Sequence, residues 1–154
     1  PAELTDREME AWARDFDSWD ICDQVCSNLF DRSASAHRKA VAWSRRNGEF
    51  VKMAGFVMMA ALSVHDKAAT DGVFLKYLPI IKREAKDERN FVRKAVNWAL
   101  RQIGKRNKAL NRAAIRTGEE ILRIESPSAR WIAADALREL RSPAVRRRLE
   151  RKPR

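Results

Sequence analysis

Apolar residues recur every three or four positions along most of this chain, which is the spacing of one helix face. No segment alternates apolar and polar residues between turn residues, so the pattern does not predict strands. Glycine and proline are scarce, at five each, and interrupt the pattern at few places. Residues typical of helix starts or breaks stand at Thr5, Ser18, Ser35, Asn47-Gly48, Asp71-Gly72, Asp87, Ser126-Pro127 and Ser142-Pro143. The sequence therefore predicts roughly eight or nine helices joined by short loops.

Three of the predicted helices repeat one another. Residues 51–62, 92–103 and 129–140 superimpose with offsets of 41 and 37 residues, which is the period of HEAT-type helical pairs. The last two segments align well, with Arg93 over Arg130. Because one such repeat cannot bury its apolar face alone, the repeats are expected to stack. We therefore expect an all-α fold, a HEAT-like repeat superhelix in which one helix of each pair lines the concave side.

Charge is distributed unevenly along the chain. The net charge is +11, but residues 1–31 hold nine acidic and two basic residues, a net −7, so the remaining 123 residues carry +18. A strongly basic body indicates a polyanion as partner, and nucleic acid is the common one. The C-terminal tail, residues 143–154, is basic as well, and we expect its run from Arg146 to Arg154 to be frayed and to add nonspecific attraction to phosphates.

One of the repeat helices places its cations in line. At 100° per residue, the residues on one side form an apolar stripe, Val92, Val96, Ala99 and Ile103, which we predict to be buried. The residues nearly opposite form a second stripe, Lys94, Trp98, Arg101 and Lys105. Three of these four are cationic, as on a solvated face. Trp98 has two interpretations: it packs on a neighbouring repeat beside Phe91 and Ala95, or it is a surface aromatic on a phosphate-binding stripe.

The acidic N-terminal region contains a carboxylate in an unusual position. On a helix over residues 18–30, Asp23 shares an otherwise apolar face with Trp19, Cys22, Cys26 and Phe30. Burial of a charged carboxylate is costly, so this placement predicts either a partner or a catalytic task. The alternative is a carboxylate at the helix edge that pairs with an arginine of the next helix.

The sequence contains no motif for a metal or a nucleotide cofactor. Cys22 and Cys26, the only cysteines, have no Cys or His partners spaced for zinc, and we interpret them as small buried hydrophobes in a reducing compartment. His37 and His65 lack a triad-like context, so we interpret both as ordinary surface or loop residues. No apolar run approaches a membrane span and the N-terminus has no signal-peptide layout. We therefore expect a cytoplasmic protein without cofactor or membrane partner.

Two stretches, residues 19–23 and residues 87–105, closely resemble the AlkD-like DNA alkylation repair family, and the resemblance extends from about Leu4 to Leu140. It implies a HEAT-like repeat DNA glycosylase of base excision repair in the bacterial cytosol. Such an enzyme removes cationic N3- or N7-alkylated purines from double-stranded DNA without flipping the base into a pocket. The resemblance implies no cofactor, and we expect a monomer.

The resemblance also implies roles for individual residues. Trp19 and Trp98 match the two tryptophans that line the family's cleft, and Asp23 matches the catalytic carboxylate. Arg101 and Lys105 match residues that grip the DNA backbone, and Lys94 lies on the same stripe.

Two features depart from the family pattern. The family's arginine beside the lesion falls near Lys52 here, which would supply the charge to DNA without the guanidinium fork. The family also carries further N-terminal helices. We therefore expect residues 1–154 to form a single domain that corresponds to the C-terminal two thirds of a longer protein.

Two other functions are compatible with a basic helical repeat. A noncatalytic relative that binds unusual DNA structures would differ at Trp19, Asp23 and Trp98, which this sequence retains. A protein–protein scaffold, the commonest use of HEAT repeats, predicts scattered cations rather than the aligned Lys94, Arg101 and Lys105.

Overall fold

The computed structural model describes residues 35–152. These residues form seven α-helices and no strand: α1 Ala36–Ser44, α2 Glu49–His65, α3 Asp71–Glu84, α4 Asn90–Gly104, α5 Lys108–Leu122, α6 Pro127–Leu140 and α7 Pro143–Arg151. The prediction of an all-helical repeat fold is therefore confirmed. None of these helices is both long and apolar enough to cross a membrane.

The helix boundaries follow the capping chemistry of the sequence. The hydroxyls of Ser126 and Ser142 accept hydrogen bonds from backbone N–H groups in the first turns of α6 and α7, each of which begins with proline. The predicted break at residues 47–48 separates α1 from α2. One cap was not predicted: the side chain of Asn107 accepts a hydrogen bond from the N–H of Leu110 and so caps α5.

The three repeated segments lie in α2, α4 and α6, and α4 packs between the other two. α1 packs on α2, whereas α5 packs against both α3 and α6, so the described helices form a two-layered stack of pairs. The four apolar residues of the stripe predicted on α4, Val92, Val96, Ala99 and Ile103, are all fully buried. The sequence period therefore identified the side of α4 that faces the core.

The closest helix crossing depends on a glycine. A Cβ atom on Gly55 of α2 would lie 2.5 Å from the backbone nitrogen of Ser44 and 2.8 Å from the carbonyl oxygen of Ala40 in α1. Both are backbone atoms, which cannot rotate away as a side chain can. Gly55 therefore allows α1 and α2 to approach to a distance that any larger residue would prevent.

The C-terminal basic run differs from the expected frayed tail. Residues 143–151 form α7, in which Val145 and Leu149, one turn apart, are buried. Just beyond α7, the ammonium of Lys152 donates hydrogen bonds to the carbonyl oxygens of Lys105 and Arg106 at 3.0 and 3.1 Å. The apolar pair and this cap on the end of α4 hold the basic residues of α7 in an ordered helix.

His37 also differs from its prediction as an ordinary surface or loop residue. It lies in α1, where its Nε2 donates to the carboxylate of Asp66 at 2.7 Å and its Nδ1 is hydrogen-bonded to the Tyr77 hydroxyl. The hydrogen bond from His37 lowers the pKa of Asp66, and burial raises the pKa of Tyr77. Partners 29 and 40 residues away along the chain create this environment. His65, the last residue of α2, is exposed as predicted.

Candidate nucleic-acid interface

The cationic stripe of α4 lies on the side of the helix that solvent reaches. Lys94 is exposed, and Trp98, Arg101 and Lys105 are partly exposed. Trp98 also packs against the hydrophobic core with part of its ring. One portion of Trp98 therefore contacts neighbouring side chains, as in the first interpretation, and another portion faces solvent, while its place on a phosphate-binding stripe stays a prediction.

A single carboxylate from the next repeat binds both cations at the C-terminal end of the stripe. Glu139 of α6 accepts from Arg101 Nη1 at 3.0 Å and from Lys105 Nζ at 2.9 Å. Burial opposes the ionisation of Glu139, but the hydrogen bonds from Lys105 and Arg101 outweigh it and lower its pKa. Asp135 of α6 also lies 3.8 Å from Arg101 Nε and pairs with Arg138, so three cations face two carboxylates and one positive charge remains in excess.

Arg101 is held from a second direction as well. Its Nε donates to Asn97 Oδ1 at 2.8 Å, and the buried Asn97 in turn donates to the carbonyl oxygen of Ile132 at 3.2 Å. Nη2 of Arg101 makes no hydrogen bond with any residue in the described range 35–152. The guanidinium is therefore fixed in orientation with N–H groups still available for an acceptor such as a phosphate oxygen.

Trp131 is a site feature that the sequence interpretation missed. It lies on α6, is 39% exposed, and carries the guanidinium carbon of Arg93 at 4.6 Å from its ring centroid. The repeat alignment contained the signal, because the offset of 37 residues places Trp131 at the position of Lys94. An exposed tryptophan beside a cationic stripe adds a stacking or apolar surface to it.

Lys52 lies in a different environment from the stripe. It is 8% exposed, and its ammonium donates to Glu84 Oε1 at 2.8 Å and to Asp87 Oδ2 at 3.1 Å. Arg89 completes this group, because its Nη2 binds Asp87 at 2.8 Å and its Nη1 donates to the carbonyl oxygen of Asn47. We refer to Lys52, Glu84, Asp87 and Arg89 as the Lys52 cluster. The predicted contact of Lys52 with DNA would require these bonds to break.

Charges in the Lys52 cluster are matched in number. Burial works against the ionisation of Asp87, but hydrogen bonds from Arg89 and Lys52 outweigh it and lower its pKa to about 2. Glu84 behaves in the same way, since the hydrogen bonds of Lys52 and Arg83 overcome its burial and lower its pKa. The cluster therefore joins the start of α2 to the end of α3 and the loop before α4 by ion pairs whose carboxylates have lowered pKa values.

Residues 3–140 match the family model described as DNA alkylation repair enzyme. The chain belongs to this family. The match spans most of the sequence and includes α1 to α6. No curated protein and no solved structure matches the chain significantly.

For a member of the DNA alkylation repair family, the stripe on α4 and Trp131 lie within the matched residues, whereas α7 lies beyond them. The family description indicates an enzyme with a role in DNA repair, and hence an interaction with DNA. Trp19 and Asp23, two of the three predicted catalytic residues, lie outside the described residues. Within residues 35–152, no three His, Cys, Asp or Glu side chains group to hold a metal ion.

Proposed function

We propose that this member of the DNA alkylation repair family is a DNA glycosylase that removes cationic N3- or N7-alkylated purines from duplex DNA. The observation that carries the proposal is the accessible stripe of α4, where Trp98 stands among Lys94, Arg101 and Lys105. Cations in line favour a phosphate backbone, and an aromatic ring among them favours contact with a base or sugar. Trp131 and Arg93 extend this surface onto α6.

The proposed chemistry needs neither a metal nor a histidine. An alkylated purine already carries a positive charge, so it leaves readily without a strong general acid. In the proposal, the rings of Trp19 and Trp98 stabilise the cationic base and sugar through cation–π attraction. The carboxylate of Asp23 stabilises the positive charge that develops on the deoxyribose and orients the attacking water.

We assign DNA binding to the cations of the stripe on α4. Within residues 35–152, Lys94 has no carboxylate within 4 Å, Lys105 has Glu139, and Arg101 has Glu139 at 3.0 Å and the more distant Asp135 at 3.8 Å. We propose that these three residues contact the phosphates next to the lesion. Lys52 would reach a phosphate only after losing Glu84 and Asp87, so we assign it to the packing of α2 against the α3–α4 loop.

Release of 7-methylguanine or 3-methyladenine from methylated duplex DNA tests the catalytic assignment. We expect Asp23→Asn to lower the rate of release by about 100-fold or more, because it removes the charge that stabilises the transition state. Glu119→Gln is the matched control, since it removes one carboxylate from the surface of α5, away from the stripe of α4. Release that Asp23→Asn leaves at the rate of the control would contradict the role of Asp23.

The same assay distinguishes a glycosylase from a noncatalytic DNA-binding relative. Such a protein would bind duplex DNA with a strong dependence on salt but would release no base. Binding that stays equal at low and high salt would contradict the phosphate contacts themselves.

A further inference from the structure

A second concentration of positive charge lies at the C-terminal end of α4. A cleft of about 460 Å³ opens there between the ends of α2, α4 and α7. Of the described residues, five that line it are cationic and none that lines it is acidic: Lys67, Lys105, Arg106, Arg148 and Lys152. We refer to it as the basic cleft.

Three of the five cations are bound to protein atoms, but mostly to neutral ones. Arg106 donates to the carbonyl oxygens of Ser63 and Ala69 at 3.0 and 2.8 Å, and Lys152 donates to two carbonyl oxygens at the end of α4. Among these three, Lys105 alone has a carboxylate within residues 35–152, that of Glu139. Carbonyl groups fix the positions of these cations without cancelling their charge.

The other two cations are exposed. Lys67 and Arg148 have no carboxylate within 4 Å among residues 35–152, and both face solvent at the rim of the cleft. Burial, together with the charges of Arg148, Lys67 and Arg106, lowers the pKa of Lys152. Like charges held this close repel one another, and a bound anion would relieve that repulsion.

The position of the basic cleft indicates which anion it receives. Lys105 belongs both to the cleft and to the cationic stripe of α4, so the two surfaces are continuous. Seven residues separate Trp98 from Lys105, about 10 Å along the helix axis, or on the order of three phosphates along one DNA strand. A duplex seated on the stripe would therefore bring its flanking phosphates to the cleft.

We propose that the basic cleft binds backbone phosphates of the duplex beyond the lesion, with α7 supplying Arg148 and Lys152 to the interface. This inference rests on the proposed function for the seating of DNA along α4. It adds a contact from α7, a helix that lies outside the residues matched to the family.

Affinity for unmodified duplex DNA over a range of salt concentrations tests this proposal. The test variant is Lys67→Ala with Arg148→Ala, and the matched control is Lys76→Ala with Arg116→Ala. The control removes two exposed cations from α3 and α5, outside the cleft. We expect the test variant to weaken binding and to reduce the slope of log K against log salt by about 1.8, whereas the control leaves the slope nearly unchanged.

Three outcomes would overturn the proposal. The first is an equal loss in both variants, which would reflect net charge alone. The second is a test variant that binds duplex as the wild type does. The third is a titration in which the wild type binds inorganic phosphate and the test variant does not, while the two bind duplex DNA with equal affinity. That result would identify the basic cleft as a site for a free anion. This binding assay uses unmodified DNA and does not depend on catalysis. If the wild type bound duplex DNA but released no base from methylated DNA, the proposed glycosylase activity would be contradicted, and the binding assay would still test the basic cleft.

Discussion

The two ends of α4 differ in how the cations gathered there are paired with carboxylates. At its N-terminal end, Lys52 and Arg89 meet Glu84 and Asp87, and every side chain of the Lys52 cluster has a partner of opposite charge. At its C-terminal end, the basic cleft gathers five cations, and no acidic residue of the described range 35–152 lines it. The first group is balanced in charge and contains the buried Lys52, whereas the second has an excess of positive charge and is open to solvent at its rim.

This difference shows that a lysine near a predicted DNA-binding surface is not by itself evidence of a DNA contact. An ammonium with two carboxylates at 2.8 and 3.1 Å has little attraction left for a phosphate, and releasing it would expose both carboxylates to the polyanion. A cation held by carbonyl groups keeps its full charge. The carboxylates around a cation and their distances from it therefore have to be considered before a lysine or arginine is proposed as a DNA contact.

Of these substitutions, Asp87→Asn should have the largest effect, which is a loss of folding stability. The change removes the partner of both Lys52 and Arg89 and leaves the buried ammonium with Glu84 alone, so we expect the free energy of unfolding to fall by about 3 kcal/mol. Glu119→Gln, whose carboxylate pairs with the exposed Arg141, should cost about 1 kcal/mol or less. Urea unfolding of both variants measures the difference. Equal losses would mean that the Lys52 cluster is no more important to the fold than a surface pair.

The contribution of Asp87 should also appear in how the stability of the protein depends on pH. The pKa of Asp87 is about 2 in the folded chain against an ordinary value of 3.8, so its contribution is present above about pH 4 and is lost as the pH falls toward 2. The contribution is on the order of 2 kcal/mol. Unfolding of wild type and Asp87→Asn should therefore differ at pH 6 and converge near pH 2. A difference that stays constant with pH would contradict the lowered pKa.

Local periodicity in the sequence was sufficient to predict which parts of the chain form helices and which sides are buried. Ser126-Pro127 and Ser142-Pro143 start helices, and the apolar stripe of α4 faces the core, because capping and the 3.6-residue period depend only on neighbouring residues. The helix at residues 143–151 could have been predicted in full from the same signals. The many basic residues of this segment favoured the prediction of a frayed tail, although Val145 and Leu149, one turn apart, are the apolar pair of a packed helix.

The partners of the charged residues could not be predicted in this way. Glu84 and Asp87 are 32 and 35 residues from Lys52, and Glu139 is 38 residues from Arg101. These pairs form because consecutive repeats stack, and the side chains that meet across two helices depend on their register. Trp131 is an intermediate case, since the repeat offset of 37 residues aligns it with Lys94, but its exposure depends on how α6 packs.

Substitution of one cation from each group should separate their roles in DNA binding. We expect Arg101→Gln to weaken duplex affinity by roughly tenfold and to reduce the salt slope by about 0.9, because it removes one charge-assisted phosphate contact. Lys52→Gln should leave the affinity of the folded protein unchanged within about twofold, since its charge is already balanced within the protein. Fluorescence anisotropy with a labelled duplex, below the unfolding temperature of each variant, measures both. A larger loss for Lys52→Gln would restore Lys52 to the DNA interface.

Glu139→Gln should have the smallest effect, and in the opposite direction. The amide keeps an acceptor for Arg101 and Lys105 but removes the negative charge of the carboxylate. A phosphate bound to these cations would lie on the order of 7 Å from that charge. At that distance in water the repulsion is about 0.6 kcal/mol, so we expect affinity to rise by about threefold at low salt and by less at high salt. Glu119→Gln, which removes a carboxylate paired with Arg141, is the matched control and should change affinity little. Weaker binding by Glu139→Gln would show that holding the two cations in position matters more than the charge that holds them.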